Sequence, residues 1–236
     1  MSSSTQTYHP VTHVIFDCDG LLVNSEKYYS EAISEVAARY GKQFDYQIKI
    51  DMMGTKPIEG AILCLDRLGL TGVLKPEEFV TEYETCMKKN YSKICLMPGA
   101  ERLIKHLSSK NIPIAIATGS AKSGFEKKTG HIGDILRKPF HHHVYAGCDP
   151  EVKNGKPAPD VFQVAARRFD NPPKDMQSVL VFEDAINGVK AALAAGMQVV
   201  LVPDKRLDLG KVTVKATQTI DSLENFKPEL FGLPPF

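Results

Sequence analysis

With 236 residues, 43% of them hydrophobic and 24% charged, the chain has the composition of a globular protein and the length of one large domain, or of one domain carrying an insertion. Such a chain buries about 70–75% of its unfolded surface and needs no metal or disulfide staple to fold, while a formal charge of +1 argues against a nucleic-acid or membrane-surface partner. The five cysteines (Cys18, Cys64, Cys86, Cys95 and Cys148) are odd in number and form no CxxC pair, which fits reduced thiols in a cytoplasmic protein rather than a disulfide framework or a zinc site.

Met1 to His9 is polar and Ser/Thr-rich, without the apolar core of a signal peptide or the arginines of a transit peptide, and reads as a frayed tail. No apolar run approaches the length of a membrane span. The first expected strand, His13–Asp17, runs into Asp17-Cys18-Asp19-Gly20. Strand alternation puts Asp17 and Asp19 on one side and Cys18 on the other. Two carboxylates side by side need a cation or a proton to stay together. One could attack as a nucleophile while the other shuttles a proton; two ordinary solvated acids at a turn fit the same letters.

From about Asn24 to Cys95 the periodicity is helical, with one stripe at Tyr29, Ala32, Ile33, Val36 and Ala37 and another at Ile62, Leu63, Leu65 and Leu68. Residues 21–96 therefore read as an all-helical cap over the carboxyl edge of a sheet formed by 1–20 and 97–236, the edge where open α/β sheets place ligands. Within it Met53-Gly54-Thr55-Lys56-Pro57 breaks the helical pattern, and Lys56 is a candidate contact to a ligand's variable part or a plain solvated lysine.

Ala100–Ser109 reads as a helix and Ile112–Ala117 as a second strand, ending in Thr118-Gly119-Ser120. A hydroxyl and free amides at a helix start suit an anion, and they suit an ordinary N-cap equally. The triplet His141-His142-His143 opens the strand His142–Ala146; alternation converges only His141 and His143, with no acid or thiol at ligand spacing, so no metal is expected there. Asn154-Gly155-Lys156-Pro157-Ala158-Pro159-Asp160 is a stiff loop around one lysine, a point charge for an anion or an exposed turn residue. The helix Pro159–Phe169 and the strand Ser178–Phe182 follow, the latter ending in Glu183-Asp184, acids that either cap a helix or join Asp17 and Asp19 around a magnesium ion. Asn187–Ala195 is helical with a C-cap at Gly196, and Gln198–Val202 is the last expected strand. Short apolar strands alternating with helices mean a doubly wound α/β fold with a parallel sheet.

Taken in order, an acidic DxD, a Thr/Ser turn, a lysine loop and paired acids supply the parts of a phosphoryl-transfer site. This pattern resembles the haloacid dehalogenase-like hydrolase superfamily over the whole chain. VTHVIFDCDGLL, LMPGAERLIKHL, DPEV, NGKPAPD, VLVFED and AAGMQVVLVPD are similar to its pseudouridine-5′-phosphatase branch, which shares much text, and the tail FKPELFGLP, with plant glycerol-phosphate phosphatases. The resemblance implies a Rossmann-like core with a helical cap inserted after the first strand. It implies an aspartyl-phosphate on Asp17 and acid/base work by Asp19. Thr118, the Gly119 amide and Lys156 would bind phosphate. Magnesium would sit on the Asp17 carboxylate, the Asp19 carbonyl and Asp184, with Glu183 behind them. Pseudouridine 5′-monophosphate is the implied substrate, glycerol 3-phosphate the alternative, and a β-phosphoglucomutase-like reaction the rival chemistry. A dehalogenase would leave Asp19, Glu183 and Asp184 without a purpose. Cys18 and Asn24 depart from the residues common at their positions. The partner is a small phosphorylated metabolite and the chain is expected to be a monomer.

Overall fold

The computed structural model describes residues 8–236, and Met1–Thr7 of the expected tail lies outside them. Tyr8 and His9 are not frayed: the Tyr8 amide donates to Leu230 O at 2.8 Å, its ring stacks on Phe231 at 4.5 Å, and His9 O accepts from Gln198 at 2.8 Å.

Six parallel strands, β1 (His13–Phe16), β2 (Ile114–Thr118), β3 (His142–Tyr145), β4 (Val179–Glu183), β5 (Gln198–Leu201) and β6 (Gln218–Thr219), form one sheet in the order β3-β2-β1-β4-β5-β6. The polar two-residue β6 has no apolar run to announce it, and it joins the edge through the register Val200↔Gln218 and Leu201↔Thr219. Side-chain alternation divides the core by face. Val14, Phe16, Leu180 and Phe182 enter one apolar cluster, and Ile15, Val179 and Val181 the other. The helices α7 (Asp160–Arg167) and α8 (Ile186–Ala194) cover the second face, while α5 (Ala100–Ser109), α6 (Lys122–Thr129) and the C-terminal segment cover the first. This makes a three-layer α/β fold. Phe16 and Phe182 are register partners whose rings stack at 5.0 Å. A one-residue slip would turn every side chain of β4 to the wrong face, so this pair fixes which acids meet just beyond it.

Between β1 and β2 the chain also forms α1 (Ser25–Arg39), α2 (Tyr46–Met52), α3 (Pro57–Arg67) and α4 (Pro76–Met87). The α1 stripe is buried at Ala32, Ile33, Val36 and Ala37, as its spacing requires. In α3 the buried face is Gly60, Ala61, Cys64 and Leu65, and Ile62 is 54% exposed. Of the second stripe Leu65 and Leu68 are buried as expected, while Ile62 turns outward and Gly60 and Ala61 take its place, because they permit close packing where larger residues would not. Among the described residues no helix is long and apolar enough to cross a membrane.

Candidate active site

Because β1 lies between β2 and β4, the carboxyl ends of three strands converge. Asp17 follows β1, Thr118 ends β2, and Glu183 ends β4 with Asp184 next. Lys156, fully buried in the loop before α7, donates to Asp17 Oδ1 at 2.6 Å, to Glu183 Oε1 at 2.5 Å and to Ala117 O at 3.3 Å. The other Glu183 oxygen accepts from the amides of Asp184 and Ala185, both at 3.1 Å. Burial disfavours the Lys156 charge, but Asp17 and Glu183 outweigh it and hold the ammonium charged.

Ligand oxygens of Asp17, Glu183 and Asp184 lie within 4.8 Å of one another, all buried. Of these three carboxylates Asp17 and Glu183 pair with the ammonium of Lys156, and Asp184 pairs with no cation among the described residues. Burial pushes Asp17 up to about 8, with Lys156 opposing and the Glu183 and Asp19 charges adding to it; Asp184 goes well above the ordinary range for the same first cause, then the charges of Asp17 and Glu183. A divalent cation on these oxygens would return both groups to their charged form. An all-oxygen donor set suits magnesium. Space for it is built into the backbone: Gly20 has φ +85°, and a Cβ there would stand 2.0 Å from Asp184 Oδ2.

Asp19 has separate partners. Ser25 Oγ donates to it at 2.5 Å, Ser120 Oγ at 3.0 Å and Thr118 Oγ1 at 3.2 Å, and the ammonium of Lys128 bonds both its oxygens. Burial acts to raise Asp19, and the charge and hydrogen bond of Lys128, with the two serine hydroxyls, overcome that and hold it below its usual range. Cys18, between the two acids, is buried in the apolar cluster beneath the sheet. Asp17, Asp19, Asp184, Gly119 and Ser120 line one pocket, whereas Thr118 is fully buried and gives its hydroxyl to Asp19.

A family model described as haloacid dehalogenase-like hydrolase matches residues 11–196. The chain belongs to the haloacid dehalogenase-like hydrolases. This hydrolase is 51% identical over 226 residues to "(DL)-glycerol-3-phosphatase 2" of Arabidopsis thaliana, a match covering 96% of this chain and 93% of that protein. It is 44% identical over 226 residues to "Probable pseudouridine-5'-phosphatase" of Drosophila melanogaster, covering 96% of each. Its fold is shared with the β-phosphoglucomutase of Clostridium difficile at a TM-score of 0.78 and 24% identity, over 94% of this chain and 96% of that one.

In this hydrolase the helices α1 to α4 form the far wall of the pocket, through Tyr29, Ile33, Lys49, Met52, Gly60 and Tyr83 among others. The loop between α2 and α3 reaches the sheet edge, where a Cβ on Gly119 would stand 2.6 Å from Thr55 O. Lys56 lines the pocket, but its ammonium is bonded to Val152 O at 2.7 Å and Lys153 O at 2.8 Å, joining the loop to the core. Four residues at the site went unnoticed in the sequence: Lys128, Ser25, Glu26 and Lys49. Lys128 does carry a signal, since it follows the buried Phe125 by three positions and so shares its helix face. Glu26 and Lys49, 3.7 Å apart, line the wall from α1 and α2, and neither belongs to a motif that marks it as anything but a charged helix residue. The triplet His141–His143 sits at the opposite edge of the sheet, with the His142 and His143 rings bonded to carbonyls of Ala165 and Leu136.

Proposed function

We propose that this hydrolase is a magnesium-dependent phosphomonoesterase that works through an aspartyl-phosphate on Asp17. The observation that carries the reading is the cluster of three buried carboxylates around one ammonium at the floor of a pocket, which calls for a cation and sets a nucleophile beside it. The Asp17 oxygen that Lys156 does not hold attacks phosphorus in line as the bond to the leaving alcohol breaks, and Asp19, once it has taken up a proton from solvent against the pull of Lys128, gives it to that alcohol. In the second step water attacks the same phosphorus, Asp19 takes its proton, and Asp17 is released. Lys156 and the amide of Gly119 hold the phosphoryl oxygens as charge builds on them, and Thr118 joins them when its hydroxyl turns from Asp19 to the phosphate. Glu183, both oxygens engaged, fixes Lys156 rather than binding the ion. Magnesium on the Asp17 and Asp184 carboxylates and the Asp19 carbonyl would supply the charge that lets an anionic carboxylate approach an anionic phosphate.

Residues 21–96 act as the lid of a core made by 1–20 and 97–236, excluding bulk water from the first step. Lys56 serves specificity through the loop it pins to Val152 and Lys153. All of these groups come from one chain, and we read the enzyme as a monomer acting on a small phosphorylated metabolite.

Pseudouridine 5′-monophosphate is the proposed substrate. Tyr29, Phe44 and Tyr83 give the pocket an aromatic wall that a base could stack on, a feature a triol has no use for. Glycerol 3-phosphate is the second reading, favoured by the 51% identity to the Arabidopsis thaliana glycerol-3-phosphatase. Phosphate release from pseudouridine 5′-monophosphate, uridine 5′-monophosphate, glycerol 3-phosphate and β-glucose 1-phosphate, with magnesium and with EDTA, tests both. Magnesium-dependent release confined to the first compound supports the nucleotide reading. Preference for glycerol 3-phosphate replaces it with the second, and glucose 6-phosphate formed from the last without phosphate release refutes the phosphatase.

A further inference from the structure

The mechanism above uses one buried lysine, and the site contains another. Lys128, near the end of α6, has a side chain with no solvent exposure. Its ammonium bonds both carboxylate oxygens of Asp19 and donates to Ser120 Oγ at 2.7 Å; the Tyr29 ring centre is 5.8 Å away. A buried ammonium without a partner is strongly unfavourable, and Asp19 is the one carboxylate that Lys128 bonds among the described residues. Three hydroxyls also donate to Asp19: Thr118 ends β2, Ser120 follows in the β2–α6 turn, and Ser25 is the first residue of α1.

The two ion pairs pull in different directions. Lys156 draws Asp17 toward β4 and Glu183, while Lys128 draws Asp19 toward α6. Two carboxylates two residues apart repel at close range in a poorly screened site. With an ammonium on either side, each has a fixed place. We propose that Lys128 is the positioning residue of Asp19: it holds that carboxylate off Asp17 and against the β2–α6 turn, and it contributes to turnover only through Asp19. Ser25, bonded to the same carboxylate, makes that position depend on where α1 lies. The inference rests on the acid/base reading of Asp19 given above.

A double-mutant cycle tests it, with kcat and KM measured on phenyl phosphate and p-nitrophenyl phosphate at saturating magnesium. Lys128→Met is expected to lower kcat on phenyl phosphate by about 100-fold, the scale of a general acid/base contribution. The loss should be smaller on p-nitrophenyl phosphate, whose leaving group needs little protonation, with KM nearly unchanged and Lys128→Arg restoring part of the rate. In an Asp19→Asn background the same Lys128→Met change should move kcat by less than about 2-fold, because the effect has no other route. A full Lys128→Met loss in that background would overturn the inference and leave the acid/base reading standing. An Asp19→Asn enzyme as active as the parent would overturn both. Should Lys128→Met fail to fold alone, the neutral pair Asp19→Asn/Lys128→Met against Asp19→Asn decides the matter: equal rates support the proposal and a further loss refutes it.

Discussion

The two edges of one sheet both gather polar side chains, and the fold treats them in opposite ways. At the amino edge His13 and His142 open β1 and β3. His13 Nε2 bonds Asn171 O at 2.9 Å and His142 Nε2 bonds Ala165 O at 2.9 Å, and both rings pack on Phe169, at 4.7 and 4.8 Å. Burial pushes both imidazoles down, His142 to about 4, so they stay neutral at neutral pH. At the carboxyl edge Asp17, Glu183 and Asp184 crowd together around one ammonium that bonds only the first two, and they line or back a pocket. Neutral rings hydrogen-bonded to the backbone are architecture, whereas buried carboxylates beside a cavity that keep their charge only with a cation are the mark of a reactive site. The count of polar residues does not separate the two edges; their charge balance does.

The comparison breaks most visibly if the carboxyl edge can lose a charge without consequence. Asp17→Asn keeps the size and the hydrogen bond from Lys156 while removing the nucleophile, and turnover should fall at least about 10³-fold with the unfolding midpoint little changed. Hydrolysis within tenfold of the parent would show that another group attacks phosphorus. Asp184→Asn removes one negative charge from the proposed ion site. The magnesium concentration for half-maximal activity should rise by about tenfold or more, the loss of one charged oxygen ligand, and a magnesium titration matching the parent's would exclude Asp184 as a ligand. Gly20→Ala tests the same site through the backbone. Its Cβ would stand 2.0 Å from Asp184 Oδ2 at φ +85°. The left-handed conformation alone should cost about 1–2 kcal/mol, a fall of about 2–8 °C in Tm for a chain of this length, and the displaced Asp184 should raise the magnesium requirement as well. Parent-like values of both would mean that Asp184 moves freely.

The same contrast explains what could be read in the letters. Asp17, Asp19, Glu183 and Asp184 stood out because each ends an apolar run, where burial is certain and a charge is anomalous. Lys156 stood out because glycine and prolines fix the loop around it. Lys128 did not, since Glu126-Lys127-Lys128 looks like the solvated face of a surface helix, and only the tertiary packing of Phe125 turns the last of the three inward. Strand β6 was invisible because two polar residues carry no periodicity. The apolar stripe around α3 is legible at Leu65 and Leu68 and misleading at Ile62, because hydrophobicity alone ranks Ile62 above Gly60 and Ala61, although shape decides which face fits. Lys56 was legible as a loop lysine, but its bonds to two carbonyls nearly a hundred residues away follow from the fold and not from local pattern.

At the amino edge a substitution should change stability and spare activity, and the effect should be smaller. His142 faces His141, whose Nδ1 lies 2.9 Å from its own Nδ1, and the charges of Arg168 and His143 add to the burial that lowers it. Its folded-state value of about 4 lies below the ordinary imidazole value. The unfolded chain therefore binds the extra proton, and the contribution is complete above about pH 6.5 and lost as pH falls toward 4. For a half-buried ring the loss should be of order 1 kcal/mol once screening by solvent is allowed for. Urea unfolding of the parent and of His142→Gln, whose amide can still donate to Ala165 O, should give curves that diverge at neutral pH and converge toward pH 4, while phosphate release at pH 7.5 is the same for both. Carboxylates elsewhere titrate alike in the two proteins and cancel in the difference. A gap between the curves that does not change with pH would mean that the ring's packing on Phe169, and not its neutrality, is what the fold depends on at that edge.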